Sequence, residues 1–176
     1  MSSTRDLFGG AITASLPTAL IDASELRQIP DTQEVFLSPT SDISIILEVL
    51  SSVPPSILAD AAKFHFDSLA HDNDATSSTI QSVTTLPNDR GDSTPSPTVL
   101  VGTQKVAKFN AIAADDVYIL LALYRVADKN VDLVLTMNVP TRGADATENE
   151  RRLAEAKGVF SAAVRSLSVV DYSLFA

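Results

Sequence analysis

The clearest periodicity lies toward the C-terminal end. Leu153, Ala156, Phe160, Ala163 and Leu167 recur at three- and four-residue steps and predict an amphipathic helix with one apolar stripe. Thr147-x-x-Glu150 reads as its capping box, and Glu148–Arg152 and Arg151–Glu155 are spaced to pair across turns on the exposed side. An earlier helix is predicted over 57–70. Its apolar positions Leu58, Ala61, Ala62 and Leu69 fall at helical spacing, with His65 between them. Ser56 stands where an N-cap belongs, just after Val53-Pro54-Pro55, and His71-Asp72-Asn73-Asp74 ends the helix.

The rest of the chain reads mainly as strand. Residues 9–17 look like a short strand between breakers, 33–38 and 43–50 like two more, 79–86 like a weak one and 99–108 like another. Residues 21–30 read as a turn of helix or a loop, closed by Pro30. Residues 117–126 are apolar on both faces, the mark of a central strand covered on both sides. Asp128-Lys129-Asn130 then turns the chain back. Val131, Leu133, Leu135, Met137 and Val139 alternate with Asp132, Thr136 and Asn138, which predicts an antiparallel partner with one face toward polar surroundings. Residues 87–98, rich in Pro, Ser and Asp, predict an exposed and mobile loop. The sum is an α+β chain of six or seven mostly antiparallel strands and two helices. The C-terminal helix should cover one sheet face and the 57–70 helix part of the other.

Composition narrows the function. The 176 residues fit a single domain, 1–176, and 45 % hydrophobic content suits a folded core. Twenty-two acids against 13 bases leave a charge of −9, which argues against a nucleic-acid binder, because phosphate contacts need a basic face. With no Cys there is no disulfide framework, thiol nucleophile or Cys-based zinc site. The apolar run from Val117 to Leu123 is far shorter than the roughly 20 residues needed to span a bilayer, so no membrane association is expected. No signal or transit segment and no basic import cluster are recognisable, which together with the missing Cys points to cytosol or nucleus.

Most familiar chemistries lack their residues. The two histidines, His65 and His71, do not close a metal site and read as one partly packed and one loop side chain. No phosphate-cradling loop, dinucleotide fingerprint or nucleophile elbow is present, so no cofactor is expected. Arg90-Gly91-Asp92 is read as a chance turn sequence. What remains is a group of carboxylates: Asp22, Glu25, Asp31 and Glu34 lie within 13 residues, with Arg27 the only base among them. They are either turn-forming and solvated residues or a patch that receives Lys or Arg of a partner. A carboxylate pair for glycoside hydrolysis has no aromatic sugar platform beside it, since Trp is absent.

Those same residues carry a resemblance. Leu7-Phe8-Gly9-Gly10-Ala11-Ile12, followed by Ile21-Asp22-Ala23-Ser24-Glu25-Leu26-Arg27-Gln28-Ile29-Pro30-Asp31-Thr32-Gln33-Glu34-Val35-Phe36, resembles the signature of the Ran guanine nucleotide release factor family, the Mog-type Ran-binding nuclear import factors. Phe64-His65-Phe66-Asp67, Gly102-x-Gln104-x-x-Ala107-Lys108, the stretch from Asp132 to Pro140 and the tail from Val169 to Ala176 are further echoes in the same order. Residues 76–98 match no family pattern. The resemblance implies a six-stranded, largely antiparallel sheet between helices, an α/β/α sandwich shared with the PsbP extrinsic subunits of photosystem II. It implies a protein of the nucleus and also the cytoplasm that binds the small GTPase Ran and promotes release of its nucleotide, GTP above all, by binding rather than by chemistry; a monomer is assumed. The alternative is a PsbP-like ligand-binding or structural module without a GTPase partner. Asp22, Asp31 and Glu34 match the acidic positions implicated in binding Ran, and Arg27 lies among them as a further contact candidate.

Overall fold

The computed structural model describes residues 1–107, 114–141 and 145–176. Among them, strands β1 (Ser2–Leu7), β2 (Ile12–Pro17) and β10 (Ser168–Val169) form a small sheet in the order β1-β2-β10. Strands β3 (Ile21–Asp22), β4 (Gln33–Leu37), β5 (Ser44–Ser51), β6 (Ser77–Thr85), β7 (Thr98–Ala107), β8 (Ala114–Val126) and β9 (Val131–Pro140) form a large one in the order β3-β4-β5-β9-β8-β7-β6. Every pairing is antiparallel. The six-stranded expectation is thereby corrected to a seven-stranded sheet plus a three-stranded one.

The layers follow from strand alternation. On β8, Leu120, Ala122 and Tyr124 face one side and Ile119, Leu121 and Leu123 the other, all fully buried. The first side packs against Leu7, Ile12 and Leu16 of the small sheet and Ala156, Phe160 and Ala163 of helix α2 (Ala146–Ser166). The second side packs against Ala61, Ala62 and Phe66 of helix α1 (Leu58–Asp72). A strand enclosed between two cores reads as continuous apolar sequence, as residues 117–126 do.

Several local expectations give way. The polar face foreseen for β9 is covered, because α1 and residues 52–55 close over it, leaving Asp132 and Thr136 buried. Residues 2–7, polar and unassigned by periodicity, become β1 by pairing with β2. The strand foreseen from residue 9 begins at Ile12, since Gly9 and Gly10 belong to a turn. Residues 21–30 begin as the two residues of β3 and a 3-10 turn over Ala23–Glu25. Ser56 does not cap α1. Ile57 holds the N-cap position without any side-chain bond, and the helix continues to Asp72. Asp145, not Thr147, caps α2 by accepting from the Glu148 N–H. Arg151 pairs with both Glu148 and Glu155, while Arg152 turns away to donate to the Pro140 carbonyl at 2.8 Å.

The segment 87–97 is tied down instead of loose. Asp92 accepts from the Asn88 amide at 2.7 Å, the Ser168 hydroxyl and the Thr94 N–H, and these bonds hold its carboxyl well below the usual range. Thr94 is buried and accepts from the Val169 N–H, fastening the segment to β10. Two family echoes also find structural reasons. A Cβ on Gly102 would stand 2.7 Å from the Thr79 carbonyl and 2.8 Å from the Phe66 ring, so only glycine lets α1 come so close to the sheet. Buried Gln104 donates to the Phe66 carbonyl at 3.0 Å. Lys108, the end of that echo and of the expected strand, lies outside the described residues.

Candidate functional site

The N-terminal motif folds into the wall of a cleft. After β1, Phe8, Gly9 and Gly10 take φ values of +50°, +68° and +92°. Glycine enters this left-handed region freely, whereas Phe8 pays for its Cβ. Phe8 is held there by its own N–H, which donates to Glu34 Oε1 at 2.7 Å. Asp22 ends β3 and caps the 3-10 turn, accepting from both the N–H and the hydroxyl of Ser24 at 2.9 and 2.7 Å. The chain returns through Ile29 and Pro30, closes with the Gln33 N–H on the Pro30 carbonyl, and sets Asp31 exposed at the entry to β4.

Asp6, Asp22, Asp31 and Glu34 thus line one open cleft of about 430 Å³, together with Phe8 and Ile29. Among the described residues none of the four carboxylates forms an ion pair with Lys or Arg. Partial burial pushes the Glu34 carboxyl up; the Phe8 N–H opposes this, and the Asp22 charge adds to it. Four acids that form no ion pair among the described residues give the cleft a negative charge that cationic groups from outside can neutralise. No group of three or more His, Cys, Asp or Glu among the described residues is placed to hold a metal ion. Arg27 and Glu25 are exposed on the turn and do not line the cleft. Asp6 does, and the sequence reading missed it. It sits in a polar strand 16 residues before Asp22, and the Phe8 N–H bond to Glu34 ties the end of that strand to the cleft.

Two other centres compete for attention. His65, foreseen as partly packed, is buried, and its Nε2 lies 2.7 Å from Asp132 Oδ2. Arg125 donates to the same carboxylate through Nε at 2.8 Å and Nη2 at 3.0 Å, and the Ser52 hydroxyl and Val53 N–H add two more bonds. Burial alone would raise the Asp132 carboxyl, but the bonds from His65, Arg125 and Val53 outweigh it and hold it well below the usual range. With its acceptors so fully used, this cluster fastens α1 and residues 52–55 to the sheet. His71 is exposed in the last turn of α1. A depression of about 460 Å³ lies between α2 and residues 38–43, walled by Leu20, Ile43, Met137 and Val159. The Glu148, Arg151 and Glu155 charges on its border are spent on one another.

The family model described as Ran-interacting Mog1 protein matches residues 5–140. The Ran guanine nucleotide release factor of Homo sapiens is 37 % identical over 184 residues, covering 99 % of this chain and 98 % of its own length. The nuclear import protein mog1 of Schizosaccharomyces pombe is 31 % identical over 188 residues, covering 97 % and 98 %. The crystal structure of the Saccharomyces cerevisiae Ran-binding protein Mog1p superimposes with a TM-score of 0.83 at 30 % identity, over 100 % of this chain and 99 % of that one.

Proposed function

The chain belongs to the Ran-interacting Mog1 protein family, and from that premise we propose that it binds the small GTPase Ran through Asp22, Asp31 and Glu34 and promotes release of the bound guanine nucleotide. The observation that carries this reading is the cleft itself, where the signature motif gathers carboxylates that form no ion pair with a Lys or Arg among the described residues. Asp6 joins them, and Arg27 stands beside them on the exposed turn. The whole chain, 1–176, acts as one monomeric Ran-binding domain, supported by two cores that share a single sheet. Its setting is nuclear protein import, with the protein in the nucleus and also in the cytoplasm, in line with relatives named for that process.

The activity follows from linkage and needs no bond-making by this chain. A protein that binds the opened or nucleotide-free GTPase more tightly than the loaded one weakens nucleotide affinity by the same factor. The carboxylates meet basic groups near the nucleotide pocket. There they compete with the phosphates for positive charge or hold a switch segment away from Mg²⁺. Truncating one partner of such a charge-assisted contact costs about 2–5 kcal/mol.

Ran loaded with a fluorescent guanine nucleotide provides the test. The wild-type protein should accelerate loss of signal, and Asp31→Ala and Glu34→Gln, the second of which keeps an acceptor for the Phe8 N–H, should abolish the acceleration while keeping the melting temperature. Unchanged affinity in either variant would remove that residue from the site. A second reading, a PsbP-like ligand-binding or structural module, draws on the apolar-walled depression of about 460 Å³. It would replace the first if loaded Ran were neither bound nor unloaded.

A further inference from the structure

Leu26 is the most exposed large apolar side chain of the N-terminal motif, at 68 %, although Ala23 three residues before it is fully buried. Its backbone is nonetheless fixed. The N–H groups of Leu26 and Arg27 both donate to the Ala23 carbonyl at 3.0 Å, and Asp22 holds Ser24 at the head of the turn. A stiff support therefore presents a branched apolar side chain to water. One exposed leucine is ordinary on a protein surface. This one belongs to the segment whose Ser24, Ile29 and Pro30 wall the cleft, and the carboxylates of that cleft form no ion pair among the described residues. Protein interfaces combine an apolar anchor with a charged and wetter surround in this way.

We propose that Leu26 is the apolar anchor of the Ran interface, entering an apolar depression on the GTPase bordered by the Lys or Arg side chains that the cleft receives. This inference rests on the reading that the acidic cleft binds Ran. It divides the work between two kinds of residue. The exposed Asp31 charge attracts the partner and chiefly sets how fast it arrives, while the buried leucine, together with the charge-assisted contacts of the half-buried Glu34, sets how long it stays. Because the backbone of Leu26 is already ordered, little conformational freedom is lost when the side chain is covered.

The experiment measures association and dissociation of purified Ran with the wild-type chain and with Leu26→Ala, Leu26→Met, Asp31→Asn and Ile57→Ala. Ile57 is a control, an apolar side chain 64 % exposed at the start of α1. Leu26→Ala should weaken binding about tenfold or more through faster dissociation, with the association rate and its salt dependence kept. Leu26→Met should restore most of the loss, Asp31→Asn should slow association instead, and Ile57→Ala should change neither rate. Melting temperatures should match throughout. If wild type binds Ran and Leu26→Ala dissociates within about twofold of it, the anchor is overturned and the acidic-cleft reading stands. If wild type does not bind Ran, the reading falls and the anchor with it.

Discussion

Glu34 meets two demands with one side chain. It anchors the strained Phe8 backbone through a 2.7 Å hydrogen bond, and it offers a half-buried negative charge to the cleft. Burial raises its carboxyl above the ordinary 4.5, so the folded protein holds this proton more tightly than the unfolded chain does. The ionised form then works against folding, and that penalty sets in as pH rises through the folded value. Glu34→Gln keeps an acceptor for the Phe8 N–H and removes the charge. It should be as stable as wild type or more so at pH 7, lose the pH dependence above 4.5, and bind Ran more weakly, as urea midpoints against pH and a binding titration would show. Asp132 has the opposite sign. Its carboxyl is held below the ordinary 3.8, so its stabilisation is complete above that value and is lost as pH falls through the folded one. Asp132→Asn should therefore lower stability at neutral pH by roughly 3 kcal/mol, since it leaves Arg125 and His65 facing an uncharged partner, and should flatten the acid limb of the unfolding profile. That Asp22, Asp31 and Glu34 lie together, with Glu25, is legible in the sequence because they are close along the chain, whereas setting the three apart from Glu25 took the family resemblance. Asp6 and the burial of Asp132 are not legible there, since neither depends on a near neighbour.

At the scale of elements, the helical stripes follow directly from the sequence and the helix ends less directly. Ala156, Phe160, Ala163 and Leu167 are buried as the spacing demands, because a 3.6-residue period leaves no other way to hide them. Leu153 is only half-buried, near the N-terminal end of the stripe. Capping depends on where the backbone actually turns, and several nearby residues could have served. At α2 the bond runs from the Glu148 N–H to Asp145 Oδ1, with Thr147 already inside the first turn. Asp145→Ala should cost about 1 kcal/mol and Thr147→Ala close to nothing, measurable by chemical denaturation. At α1 the N-cap falls on Ile57, a residue poorly suited to the task, even though Ser56 stands beside it. Entry into that helix is set by the anchoring of residues 52–55 to Arg125 and Asp132.

Across the whole molecule, the excess of acid divides into a solvating majority and the few carboxylates of one cleft. If these carboxylates steer Ran, association should slow markedly between low and physiological salt while dissociation changes little, and stopped-flow mixing at several ionic strengths would reveal it. A salt-independent association rate would count against steering. The sequence by itself determined the alternation of the strands, the double-sided burial of β8, the apolar stripe of α2 and the acidic signature motif. Each of these is written in side chains that lie within a few turns or pleats of one another. Only the tertiary structure decided that β10 pairs with β2, joining Ser168 to Thr13, and that a second sheet exists at all. It alone brought Asp6 to the cleft and put Asp132 under α1. Strand pairing between distant segments is made by backbone N–H and carbonyl groups that every residue carries, so it leaves little mark in the order of the side chains.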